Sequence, residues 1–392
     1  MKKLIYLFAC LSLFLAACGS ATPVVPTATA TAPATLPPPP TETPLPTNTS
    51  TPKPTASLGY PAQRYGPSNF PASVDPLTGL EVSDPTLLDR RPMLIKVANI
   101  PRNNRPQWGL SLADLVFEYY TEEGATRFAA IFLGNNADMV GPIRSGRFID
   151  GQLVHGYKAI FAFGSAYISE WDRFVKSDYA NRMVVEGSST PLTRFESNGA
   201  NFLVANTATL TTWATANGVN GRQNLDGMAF NSPAPAAGKP VTQVFVRFSG
   251  VVYNRWDYET ATGRYLRFSD TVNAYDLASE KYAQLTDHLT GQPVAFDNVV
   301  VLYVTHEVYS TDSLGNTIYD IQLSGSGDGY AFRDGQAYKV KWQRGTNDVV
   351  SLTNPDGTPF SFKPGTTWFE VIGGSSTLQQ DPQIWRFTHF MP

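Results

Sequence analysis

Cysteine is almost missing from this 392-residue sequence: Cys10 and Cys18 are the only two, and both lie near the start. Through the rest of the chain, thiolate catalysis, a disulfide framework and cysteine metal sites are therefore excluded. Histidine is nearly as scarce. His155, His288, His306 and His389 are the four present, and no two are neighbours, which argues against a histidine-rich metal centre. Charge of one sign is lacking too. Thirty Lys and Arg stand against 33 Asp and Glu, for a net charge of −3, and no basic run forms a tail. Nothing here calls for nucleic acid as a partner. No repeat of fixed period is visible.

What is present begins with an address. Lys2 and Lys3 precede an apolar run from Leu4 to Leu15, too short to span a bilayer as a stable helix. Leu15-Ala16-Ala17-Cys18 follows and resembles the lipobox of bacterial lipoproteins, in which cleavage leaves the cysteine as a lipidated N-terminus. Leu7-Phe8-Ala9-Cys10 is a weaker match, because its apolar segment would be too short. Residues 1–17 are thus expected to be a lipoprotein signal peptide and Cys18 the lipidated residue. That places the protein outside the cytoplasm, anchored by lipid to the bacterial membrane. Residues 18–60 are dominated by Thr, Pro, Ala and Ser, a composition that cannot offset its own ordering entropy. They are expected to form a disordered stalk, which at about 3.1 Å per residue could reach on the order of 100 Å.

Two modules are expected beyond the stalk. From residue 61 to 232, "RPMLIKVAN" reads as a buried strand, and "ADLVFEYYTEEGATRFAAIFLG" as two strands joined at Glu123-Gly124. Ser145, after Gly141-Pro142, reads as the N-cap of a helix. "KAIFAFG" reads as a further strand. Ile168, Trp171 and Val175 are spaced for one face of a helix, and Asn206 is placed to cap another that Gly218 stops. A Pro/Ala/Gly stretch from 232 to 240 then gives way, over 241–392, to short aromatic and β-branched runs with turn dipeptides such as Thr262-Gly263, Asp334-Gly335 and Asp356-Gly357. The expected fold is an α+β (or α/β) N-terminal module followed by a mainly antiparallel β C-terminal module.

The candidate chemistry lies in the first module. With a side-chain period of two, Asp114, Glu118 and Glu122 share one face of a strand whose other face is apolar. Arg127 follows the turn, Arg105 precedes the strand, and Arg144 and Arg147 crowd the expected start of the helix. A cation there works against the positive helix pole. Two readings stay open. Either the carboxylates pair with the arginines in a partly buried network, or the arginines and helix amides receive an anion from outside.

"RPQWGLSLADLVFEYYTEEGATRF" and "VGPIRSGR" resemble the signature of YerB-like bacterial lipoproteins, whose two modules are catalogued as domains of unknown function (DUF3048, N- and C-terminal). "YLRFSD", "GSGDGYAF" and "PGTTWFEVI" echo the C-terminal module. Glu123 departs from the family's usual glycine, and Gly146 from its alanine. The resemblance implies a two-module envelope lipoprotein and carries over no catalytic assignment.

The expected site is Arg105, Glu118, Glu122, Arg127, Arg144, Ser145 and Arg147. Its expected role is non-catalytic binding of an anionic wall component or an envelope protein through an arginine-lined cleft, with no metal and no cofactor. Catalytic residues are not identifiable. The alternative is metal-assisted chemistry on phosphate-bearing envelope precursors, with Asp114, Glu118 and Glu122 as ligands. A glycosidase pair of Glu118 and Glu122 is disfavoured, because positions i and i+4 of a strand lie roughly 13 Å apart. Trp171, Trp256, Tyr265, Trp342, Trp368 and Trp385 are expected in the core rather than on a sugar-stacking platform.

Overall fold

In the computed structural model, which describes residues 64–194, 202–311, 315 and 317–391, Met93–Ala98 (β1) is a strand buried along its whole length. Leu115–Tyr120 (β2) and Thr126–Phe132 (β3) form the expected hairpin. Its turn puts both Glu123 and Gly124 at positive φ, 53° and 75°. Glycine takes that conformation without penalty and glutamate does not, which gives a physical reason for a glycine preference at position 123. Phe148–Tyr157 (α1), Ile160–Phe163 (β4), Ile168–Val175 (α2), Met183–Val185 (β5) and Thr207–Ala216 (α3) follow. The Asn206 side chain caps α3 by accepting from the Thr209 amide.

The second half supplies Lys239–Arg247 (β6), Tyr253–Glu259 (β7), Arg264–Asp270 (β8), Asn298–Val304 (β9) and His306–Thr311 (β10). Thr317–Ile321 (β11), Gly325–Arg333 (β12), Gln336–Arg344 (β13), Thr367–Gly373 (β14) and Gln383–Thr388 (β15) follow, with shorter strands between them.

One large mixed sheet runs through both halves. β5, β4 and β1 are parallel neighbours, and β1, β3 and β2 continue antiparallel. The outer edge of β2 then takes β14 in parallel, from Leu115 opposite Thr367 to Tyr119 opposite Val371. β14 pairs in parallel with β9, and β9, β12 and β13 extend the sheet antiparallel. A second layer holds β8, β7 and β6 antiparallel, with β15 parallel to β6.

This corrects the expected fold class. The protein is mostly β, and a separate N-terminal α+β module is not resolved, because the strands of residues 93–185 share a sheet with those of 298–373. The C-terminal half also contains parallel pairs. The reason lies in the strands themselves. β2 is buried on both faces and so needs a neighbour on each edge and a layer on each side.

Those layers are two apolar cores. Val97, Val116, Phe128, Val301 and Trp368 face Val244, Trp256, Tyr265 and Phe387 of the second layer, with Leu210 of α3. On the opposite face Phe117, Tyr119, Phe161, Trp342 and Phe369 pack with Leu153 of α1 and Phe174 of α2. Each large apolar side chain buried this way contributes about 1.5–3 kcal/mol. All of the expected core aromatics are buried except the half-buried Trp171.

Two local expectations are corrected. Helix α2 buries Glu170 and Phe174 with Trp171 half-buried, while Ile168 and Val175 are 67% and 42% exposed, so its inward face is not the expected one of Ile168, Trp171 and Val175. Helix α1 is capped by Arg147 rather than Ser145, so Gly146 lies before the helix and not in its first turn. A Cβ on Gly146 would stand 2.9 Å from Phe174 and 3.0 Å from Phe161, so close approach of those rings is what this glycine permits.

The segments expected to be a signal peptide and a stalk, with Cys18, lie outside the described residues. Among the described residues no helix is long and apolar enough to cross a membrane.

Candidate functional site

The loop "VGPIRSGR" is threaded between the ends of β1 and β4. Ala98 donates to the Pro142 carbonyl, Arg144 donates to that of Lys96, and Gly164 donates to that of Arg144. The chain thus arrives at α1 with Arg144, Ser145 and Arg147 beside the β2–β3 turn. Asp150, one turn into α1, accepts from the Arg147 amide at 2.6 Å, so a carboxylate sits where the helix dipole favours one.

Glu122 explains the crowded arginines. One of its oxygens accepts from Arg127 at 2.9 Å, and both accept from Arg147, in a fork with Nε at 2.8 Å. Burial raises the Glu122 carboxyl, and the Arg147 bond and the two guanidinium charges outweigh it, leaving the group below its ordinary value. Arg127 also donates to the Ser145 carbonyl. Burial, reinforced by Arg147, pushes Arg127 down to about 10. The Ser145 hydroxyl meets that of Ser165 at 2.9 Å. Arg144 is half-buried, and burial lowers its guanidinium.

Behind this network lies a charge the sequence reading missed. Lys96 is fully buried, contacts the Tyr119 hydroxyl and lies 3.2 Å from Asp150. Burial pushes it down to about 7 against the pull of Asp150, and Arg127 and Arg147 push the same way. A lysine inside the apolar run "MLIKVA" was the available signal.

Beside the network opens a cavity of about 270 Å³. Tyr120, Tyr167 and Tyr319 wall it, Ile149, Ile318 and Ile321 add apolar surface, and among the described residues Arg147 is its one guanidinium, so the cleft is not the arginine-lined one expected. Glu122, Glu123 and Glu170 also face it. Glu170 is 1% exposed and accepts from the Ser169 hydroxyl at 2.8 Å. The β10–β11 hairpin forms one side, with Tyr319 edge-on to Tyr120 at 5.7 Å. No local signal in the sequence could have announced Tyr319, which arrives from a distant hairpin.

The structure does not gather all seven expected residues here. Arg105 lies elsewhere, bonded to Asn99 and to Asp270, the latter at 3.0 Å. Glu118 is sealed between the two layers, where Arg267 donates to it at 2.6 Å. Arg267 also donates to Glu370 at 3.2 Å and lies over the Trp368 ring at 4.3 Å. Burial and the charge of Glu118 raise Glu370 to about 8, with Arg267 opposing them. Asp114 faces neither cluster, since it accepts from the Leu133 and Gly134 amides. The three carboxylates proposed as metal ligands therefore sit in three separate environments, and among the described residues no cluster of three such ligands is found. That corrects the ligand set of the metal-assisted alternative.

These contacts tie the sequence motifs together. Arg105 and Glu118, from the first half, pair with Asp270 and Arg267 of "YLRFSD", and Glu370 of "PGTTWFEVI" joins the same buried cluster. Two family models described as "Protein of unknown function (DUF3048)" match the chain, the N-terminal domain over residues 77–220 and the C-terminal domain over 244–369. The chain belongs to the DUF3048 family. This DUF3048 chain is 28% identical over 310 residues to "Putative lipoprotein YerB" of Bacillus subtilis (strain 168), covering 76% of the chain and 85% of that protein. It also resembles the crystal structure of the YerB protein from Bacillus subtilis, with a TM-score of 0.64 and 27% identity over 76% of the chain and 96% of the solved one.

Proposed function

We propose that this chain is a lipid-anchored protein of the bacterial cell envelope whose body is a non-catalytic binding module. Its ligand enters the tyrosine-walled cavity above Glu122 and Arg147. The lipobox at Cys18, the Thr/Pro-rich stalk and the lipoprotein relative support the anchoring. The observation that carries the binding reading is the wall of the cavity: three tyrosines, one guanidinium and three carboxylates. Among the described residues no cysteine or histidine lines it, so these residues offer no thiolate or imidazole base for covalent chemistry.

The charge arrangement refines the expected ligand. Arg147, the cation lining this cavity, is forked onto Glu122 and can meet a carboxylate or phosphate only by sharing its donors with that acid. Glu123 and Glu170 suit an ammonium or hydroxyl instead. A ligand carrying both signs, such as a peptide-bearing wall fragment or a segment of an envelope protein, matches this wall better than a uniform polyanion does.

The test is calorimetry of the full-length protein with soluble peptide-bearing wall fragments and, separately, with a polyanionic wall polymer. Binding of the fragments that is lost in Arg147→Gln and in Tyr167→Ala supports the reading. Tyr167 is 52% exposed, so its replacement leaves the core intact. Absence of binding, or binding that neither substitution alters, refutes it.

A further inference from the structure

The motif "GSGDGYAF" takes no part in the cavity above. It forms β12, and its glycines have a packing reason. A Cβ on Gly327 would stand 2.5 Å from Nε1 of Trp342 and 2.9 Å from the Tyr303 carbonyl. A bare backbone there lets the Trp342 indole donate to that carbonyl at 2.9 Å. It also leaves a depression of about 480 Å³ over the strand. Tyr303 and Tyr330 line it, half-buried and edge-to-face at 6.4 Å. Asp328, Lys339 and Ser326 line it as well, all exposed.

A second depression, of about 340 Å³, adjoins the first. Tyr330 and Lys339 line both, so the two meet at one tyrosine. The second adds Trp385, whose ring meets that of Tyr330 edge-on at 5.2 Å. Both volumes fall within the range of small-molecule sites.

We infer that this groove along β12 and β13 binds an oligosaccharide, with one group of sugar rings on each side of Tyr330. The chemistry is specific to such a ligand. A pyranose presents an apolar face of C–H groups, which an amphipathic tyrosine ring matches. Its rim of hydroxyls needs acceptors and donors in close alternation, and here a carboxylate, a hydroxyl and an ammonium lie side by side. Asp328, Lys339 and, in the second depression, Lys239 sum to a single positive charge, too little field to select a strongly charged ligand. The doubled length suits a chain rather than a single sugar. This site is independent of the Glu122 cavity.

The test is titration of the full-length protein with chito-, malto- and cello-oligosaccharides of three and six units, followed by saturation-transfer NMR and calorimetry. One series is expected to bind, with the hexamer about tenfold or more tighter than the trimer. Tyr330→Ala and Asp328→Asn are expected to weaken it at least about tenfold. Tyr167→Ala, in the other cavity, is expected to leave it unchanged. Asp328 is exposed, so Asp328→Asn tests the site without disturbing the core. Failure of all three series at millimolar concentrations overturns the inference. So does equal affinity for trimer and hexamer, or binding that neither groove substitution weakens.

Discussion

Replacing Arg267 by methionine is expected to cost this protein more stability than any other single change in the described ion pairs. The guanidinium is fully buried, holds Glu118 and Glu370 at 2.6 and 3.2 Å, and lies over Trp368 at 4.3 Å. Removing one partner of a buried pair costs about 3–5 kcal/mol, because the charge left behind has lost its compensation. Loss of a desolvated cation–π contact adds about 1–2 kcal/mol. A total of about 5 kcal/mol is comparable to the whole stability of many domains. The sign with pH follows from the carboxyls. Glu370 already sits well above its ordinary 4.5, at about 8, through burial and then the Glu118 charge. A raised carboxyl keeps its proton in the folded state where the unfolded chain has released it, so folding is favoured as pH falls through that window. Without Arg267 this dependence steepens. Urea unfolding followed by tryptophan fluorescence at about pH 8 and about pH 5 is expected to show the larger deficit at pH 8. The triple variant Glu118→Gln/Arg267→Met/Glu370→Gln is expected to recover most of it. A loss below about 1 kcal/mol, or one equal at both pH values and unrelieved in the triple variant, would refute the reasoning.

Other expectations are smaller and local. Glu123→Gly relieves a positive φ of 53° and should raise stability by about 0.5–1 kcal/mol in chemical denaturation, whereas Glu123→Ala should not. Asn206→Ala removes the cap of α3 and should cost about 1 kcal/mol, read as a lowered Tm. Burial pushes His306 down to about 4 and, with His306 beside it, His389 to about 3. Between pH 6.5 and those values the unfolded chain binds protons that the folded one does not, so stability should fall on acidification. His306→Gln should flatten that decline by about 3 kcal/mol across the window, as followed by pH-dependent unfolding.

How much of this was legible depended on how local its cause is. The β2–β3 hairpin follows from a period of two and a turn dipeptide, and α3 from Asn206 and Gly218, so both stand where the sequence put them. Helix α2 was misjudged because burial selected Glu170 and Phe174 over the apolar Ile168 and Val175, a tertiary choice that helical spacing does not carry. The arginines at the start of α1 were readable as a cluster, and Glu122 as one of their acids. The destination of Glu118 was not, since the guanidinium it meets is 149 residues away. Period two did say that Glu118 and Tyr119 face opposite ways. It could not say that both faces are closed, one by Arg267 and the other by α1.

The parallel seam between β2 and β14 also governs how the chain is made. β2 is synthesised roughly 250 residues ahead of the strand that completes its edge, so the nascent first half carries a hydrogen-bonding rim with no occupant until almost the last segment emerges. Long-range closure of this kind makes β14 the latch of the molecule and its docking the slow step of assembly. A chain interrupted near residue 240 exposes that rim permanently, which makes premature termination a route to aggregation rather than to a smaller working protein.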